Sequence, residues 1–122
     1  VTCGRRILPK AGDTAQAQEC LELLSGRRHR VIGSVCIIDP EGRSHILRVT
    51  TTVAFKRLTR DETASYLESG EWRGKAGGYA IQGRAQALVR FINGSYSNVV
   101  GLPLFETRAL LEGLGYTAQD AP

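Results

Sequence analysis

Two adjacent stretches, HRVIGSVCIID at 29–39 and LRVTTTVAFK at 47–56, constrain this chain more than any other feature. The first is rich in β-branched residues and apolar on both alternations, the pattern of a strand inside a sheet. The second alternates cleanly. Leu47, Val49, Thr51, Val53 and Phe55 fall on one face, and Arg48, Thr50, Thr52 and Lys56 on the other, the period of two that a half-buried strand requires. DPEG at 39–42 joins them with a type I turn signal, Pro40 at its second position. The expectation is an antiparallel hairpin.

Helices flank it. Asp13 stands as an N-cap with Gln16 three residues on; Ala17, Cys20, Leu21 and Leu24 recur at helical spacing, and Gly26 ends the segment. Thr59 with Glu62 forms a capping box that opens a second helix, closed by Gly70. ALVRFI at 87–92 reads as a strand, because the Asn93-Gly94 pair behind it is a turn signal. Pro103 sits where a last helix begins, with Leu104, Leu111 and Leu114 on its face and Gly115 at its end. Strands interspersed with helices predict an α/β fold, a mixed sheet with flanking helices, and 122 residues make one domain, 1–122.

Hydrophobic residues are 42% and charged residues 23%, which excludes a disordered tail. The longest apolar run, VIGSVCII at 31–38, is too short to span a bilayer, and no segment has the order of a signal peptide. Cys3, Cys20 and Cys36 are widely spaced, with no CxxC, so zinc or a disulfide is not expected and a reducing cytoplasm is. A net charge of +4 attracts polyanions, and basic residues cluster at Arg27, Arg28, His29 and Arg30 and at Lys56, Arg57 and Arg60. Neither an aromatic RNA-binding string nor helix-turn-helix spacing accompanies them, so they read as solvated ends and nucleic acid is not the expected partner.

GKAGGYAIQG at 74–83 carries four glycines in ten residues. It is no phosphate loop of the Walker type, since Ala76 follows Lys75 where Ser or Thr is needed, and its glycines do not match GxGxxG. What remains is a segment whose amides can approach an anion, with Lys75 as a mobile charge, or one that simply turns a corner. Gln82 brings a side-chain amide that needs partners. Lys10 lies between a strand end and the first helix, a junction that lines sites in α/β proteins. His29 and His45 have no paired Ser and carboxylate, and His29 reads as a surface or strand-edge residue. No carboxylates are spaced as metal ligands, and Glu106 falls in a first helical turn, where an acid suits the helix dipole. The chain offers phosphate-binding cations without the acids that metal-assisted hydrolysis uses.

Taken in order, ILPK, LSGRRHRV, TTVAFKRLT, YLESGEW, GKAGGYAIQG and INGSYSNVVGLPLFET resemble the Maf family, from Val1 to about Gly115. AGGYAIQG and GSYSNVVGLPLFET are the most specific of these. The resemblance implies a Maf/ITPase-like α/β fold with a mixed sheet. It also implies hydrolysis of nucleoside triphosphates to the monophosphate and pyrophosphate, with a divalent cation (Mg or Mn), in the cytoplasm, in proteins that are often homodimers. KAGGYAIQG is similar to the branch acting on dTTP and UTP. Lys10 matches the lysine of the family's LGKP, which contacts phosphate, and Gln82 the glutamine of its IQG, so these two are the implied catalytic residues. Lys75, Gly77 and Tyr79 are the implied substrate-binding residues. LPKA departs from LGKP, Gly74 stands where many members have Asp, and IGSV at 32–35 replaces TGV. The family's SxSPRR segment and the aspartate of ADTVV, the implied base and metal contact, precede the point where Val1 aligns. A domain incomplete at its N-terminus, and inactive by itself, is therefore expected, in keeping with a chain that has no methionine. A basic module that binds RNA or a protein partner without catalysis is the alternative, as is a regulator of septum formation.

Overall fold

The structure is a computed structural model, and it describes residues 1–116. Two short strands open it, β1 (Thr2–Cys3) and β2 (Arg6–Ile7), followed by helix α1 (Thr14–Leu24). The long hairpin comes next, as β3 (Arg28–Ile38) and β4 (Ser44–Phe55), then helix α2 (Arg60–Ser69). The glycine-rich segment leads through a 3₁₀ turn at Arg84–Leu88 into β5 (Val89–Asn93), α3 (Tyr96–Val100) and α4 (Leu104–Gly113).

The sheet runs β2-β1-β3-β4-β5. The α/β class with flanking helices is as read from the sequence, and the strand directions are simpler than the mixed sheet expected, since all four pairings are antiparallel. Hairpins dictate this: β1 with β2 and β3 with β4 are each joined by a turn too short for a crossover. At the central turn the Asp39 carboxylate accepts hydrogen bonds from the backbone N–H of Glu41 and of Arg43. Gly42, at φ 82°, takes the left-handed step that returns the chain into β4.

Local caps account for the first two helices. Asp13 accepts from the Gln16 backbone N–H at 2.8 Å, while the Gln16 side chain reaches one residue further back than a capping box does and accepts from Gly12. Both halves of the Thr59–Glu62 box are present, and Gly70 closes α2 in the left-handed region at φ 73°. The Asn93-Gly94 pair ends β5 without making a hairpin. Thr51 exchanges hydrogen bonds with Ser95, and Ser95 caps α3, so the chain enters a short helix that the turn signal concealed.

One face of the hairpin carries the core. Val49, Thr51, Val53 and Phe55 are all buried on β4, and His29 lies opposite Val53 in register. Ala17, Cys20, Leu21 and Leu24 of α1 close over the Phe55 end, with Tyr66, Trp72, Tyr79 and Ile81. His29 is thus a core residue and not a surface or edge one. Its place on the inner face follows from the register with β4, which composition does not reveal. Helix α4 buries none of its residues, and Leu104 and Phe105 are 61% and 79% exposed.

Candidate active site

Backbone pairing brings the separated site residues together. Lys10 and Ala76 form an antiparallel bridge, and Ala11 N–H donates to the Lys75 carbonyl at 3.1 Å. Gly74 N–H donates back to Ala11 and Gly77 N–H to Pro9, so residues 9–11 and 74–77 are laced into a two-stranded ribbon. From there the loop runs over α1. A β-carbon on Gly78, at φ 77°, would lie 3.3 Å from the Cys20 β-carbon and 3.4 Å from the Ala17 backbone. Only glycine supplies that backbone angle without strain and lets the loop pass so near the helix. The hydroxyl of Tyr66 on α2 accepts from Ala80 N–H at 3.0 Å. Beyond Gln82, the Glu71 carboxylate accepts from Arg84 N–H and fills the space over Gly83. Both sides of the Gln82 backbone are tied down.

A cavity of about 530 Å³ opens between this ribbon, the face of β3 and helix α3. Its volume is in the range of small-molecule sites. Lys10, Lys75, Tyr79 and Gln82 all line it. Opposite them stand Val31, Ile32 and Gly33 of β3 and the stretch from Asn98 to Gly101. Lys10, Lys75 and Gln82 are exposed, and among the described residues neither lysine has a carboxylate within ion-pair distance. Two unpaired ammonium groups beside a free side-chain amide favour an anion with further hydrogen-bonding groups.

Two of the expected residues have other surroundings. Gly77 is buried away from the cavity, where its missing side chain accommodates Val1; a β-carbon there would lie 3.1 Å from a Val1 methyl group. Tyr79 contributes to the cavity wall but is only 5% exposed, and its hydroxyl shares a 2.5 Å hydrogen bond with His29 Nε2. His29, Phe55 and Tyr79 meet edge to face, with ring centroids 4.8–5.4 Å apart. Burial raises the Tyr79 phenol well above its ordinary value. Burial, and then the positive amino group of Val1, lower His29 to about 4. This pair is a neutral brace beneath the loop.

Asn98 is the site residue that sequence reasoning missed. It is buried in the cavity wall, and the two N–H groups of its Nδ2 are shared among the carbonyls of Val31 and Val49 and Thr51 Oγ1. An amide set in the apolar run YSNVVGLP was the available signal. The expected divalent cation does not fit these residues. No carboxylate lines the cavity, and no three His, Cys, Asp or Glu side chains converge anywhere among the described residues.

Fold and cavity together define an α/β protein with a basic cleft on the inner face of an antiparallel hairpin. A family profile described as "Maf-like protein" matches residues 1–114, and the chain belongs to the Maf family. It is 66% identical over 116 residues to a "dTTP/UTP pyrophosphatase" of Paramagnetospirillum magneticum, covering 95% of this chain and 61% of that protein. A protein of the same description from Rhodospirillum rubrum is 65% identical over 116 residues, with 95% and 55% covered. A "Nucleoside triphosphate pyrophosphatase" of Anaplasma phagocytophilum is 56% identical over 111 residues, with 91% and 58% covered. The chain therefore spans between half and two-thirds of the length of these curated relatives. No helix among the described residues is long and apolar enough to cross a membrane.

Proposed function

We propose that this chain supplies the lysine- and glutamine-bearing part of the active site of a nucleoside triphosphate pyrophosphatase acting on dTTP and UTP. The observation that carries the reading is the convergence of Lys10, Lys75 and Gln82 on one cavity where, among the described residues, neither ammonium has a carboxylate within ion-pair distance. The relatives' printed descriptions supply the substrate class. In this reading, water adds to the α-phosphorus and the bond to the bridging oxygen breaks, giving the nucleoside monophosphate and pyrophosphate. Negative charge builds on the phosphate oxygens as that bond weakens, and fixed cations offset it at little reorganisation cost. Lys10, anchored through its backbone bridge to Ala76, is the residue assigned to that role, and Lys75 holds the triphosphate beside it. Gln82 can donate and accept at once, which suits a group with both functions. Among the described residues the cavity offers no carboxylate, histidine or cysteine ligand for a metal ion. A cytoplasmic location and a homodimeric assembly belong to the same reading.

Pyrophosphate release from dTTP and UTP tests it, in protein expressed from the complete reading frame. Lys10→Ala should lower turnover by about a hundredfold or more, the scale of losing one charge-stabilising group. Gln82→Ala should weaken the same reaction. Unchanged turnover in Lys10→Ala removes that residue from the mechanism. A protein that hydrolyses neither nucleotide but binds oligonucleotides with steep salt dependence is instead a basic binding module.

A further inference from the structure

We infer that Asn98 is a positioning residue, which fastens helix α3 to the β3–β4 ladder and so holds the cavity wall that faces Lys10, Lys75 and Gln82. The inference rests on the functional reading above for the identity of the ligand, but its geometry is independent of it. Helix α3 has five residues, too few to be stable by its own hydrogen bonds. Asn98 is 2% exposed, and the two N–H groups of its Nδ2 are shared among three acceptors, Val31 O at 3.0 Å, Val49 O at 3.2 Å and Thr51 Oγ1 at 3.1 Å. One amide thereby joins the helix to both central strands. Among the described residues its Oδ1 has no hydrogen-bond partner, and it occupies the space a side chain on Gly33 would need, so that any β-carbon there would collide with it. Gly33 has no left-handed backbone angle, so its lack of a side chain serves this approach and not a turn. Gly33 and Asn98 are thus a seat and its occupant, and Val99, Val100 and Gly101 of the wall follow directly on Asn98.

Two variants attack the seat from opposite sides: Asn98→Ala removes the amide, and Gly33→Ala fills the space beneath it. Hydrogen exchange reads the wall directly through the amides of Val99 and Gly101, which donate to Ser95 O and Ser97 O. In both variants these amides should exchange about tenfold faster or more, while amides of the β3–β4 ladder keep their protection. The KM for dTTP should rise about tenfold with kcat changed by no more than about twofold. A residue that merely stabilised the fold would lower the fraction of active protein, and hence apparent kcat, leaving KM in place. Wild-type exchange at Val99 and Gly101 in Asn98→Ala would overturn the inference, as would faster exchange with an unchanged KM. Wild-type protein expressed from the complete reading frame that does not hydrolyse dTTP defeats the functional reading alone, and the exchange rates then decide whether Asn98 holds the wall.

Discussion

Protonating His29 in place would set a positive charge among Phe55, Tyr79 and the aliphatic core, with no partner for Nδ1 among the described residues. The folded protein therefore keeps the ring neutral down to about pH 4, whereas an unfolded chain takes up the proton near the ordinary value of 6.5. The sign follows. His29 costs nothing above the unfolded value, and stability is lost as pH falls from 6.5 toward 4, because only the unfolded state binds the proton in that window. Between about pH 7 and about pH 5 the loss should be about 2 kcal/mol. Urea unfolding at the two pH values measures it, and His29→Gln, which can still bond to the Tyr79 hydroxyl but cannot titrate, should remove most of the difference. An equal loss in the variant would assign the pH dependence elsewhere. Asp39 and Glu62 have pKa values lowered by their bonds to His45 and Lys56, so their stabilisation is lost only at lower pH, below 3.8 and 4.5 respectively.

Among elements, the glycine-rich segment behaves as a strap whose inner side is packing and whose outer side is the cavity. Gly78 and Gly42 isolate the two reasons for a glycine. Both have a left-handed backbone, at φ 77° and 82°, yet only at Gly78 would a β-carbon meet neighbours; at Gly42 nothing lies within 4 Å. Gly42→Ala should then cost about 1 kcal/mol, the strain of the angle alone, and Gly78→Ala about 1–3 kcal/mol more as the loop is pushed off α1. Denaturant midpoints of the two variants make the comparison, and equal losses would mean the strap does not bear on the helix. On the function proposed above, Gly78→Ala should also lower pyrophosphate release from dTTP, since displacing the loop moves Lys75 and Gln82 away from Lys10.

For the whole molecule, the composition of the cavity sets what the chain can do by itself. Among the described residues it offers two ammonium groups, one free amide and apolar walls, and no carboxylate to take a proton from water. The 122 residues alone should release no pyrophosphate from dTTP above the uncatalysed rate, though they fold around the core described. Release by the isolated chain would show that a base lies within it. The hairpin, both capped helices and the last helix were legible from periodicity and capping residues, because each depends on neighbours a few positions away. Lys10, Lys75 and Gln82 were legible only as candidates, and the resemblance supplied their roles together with Tyr79, since a lone lysine or glutamine carries no local mark of its function. Burial of His29 against Tyr79, 50 residues on, and the hold of Asn98 on Val31, 67 residues back, left no trace in local pattern. The sequence by itself determined the long hairpin, the two capped helices and the last helix, for these are decided by side-chain period and end caps. Only the tertiary structure decided which side of each segment meets the cavity, because register across the sheet and the lacing of residues 9–11 to 74–77 are contacts between distant parts of the chain.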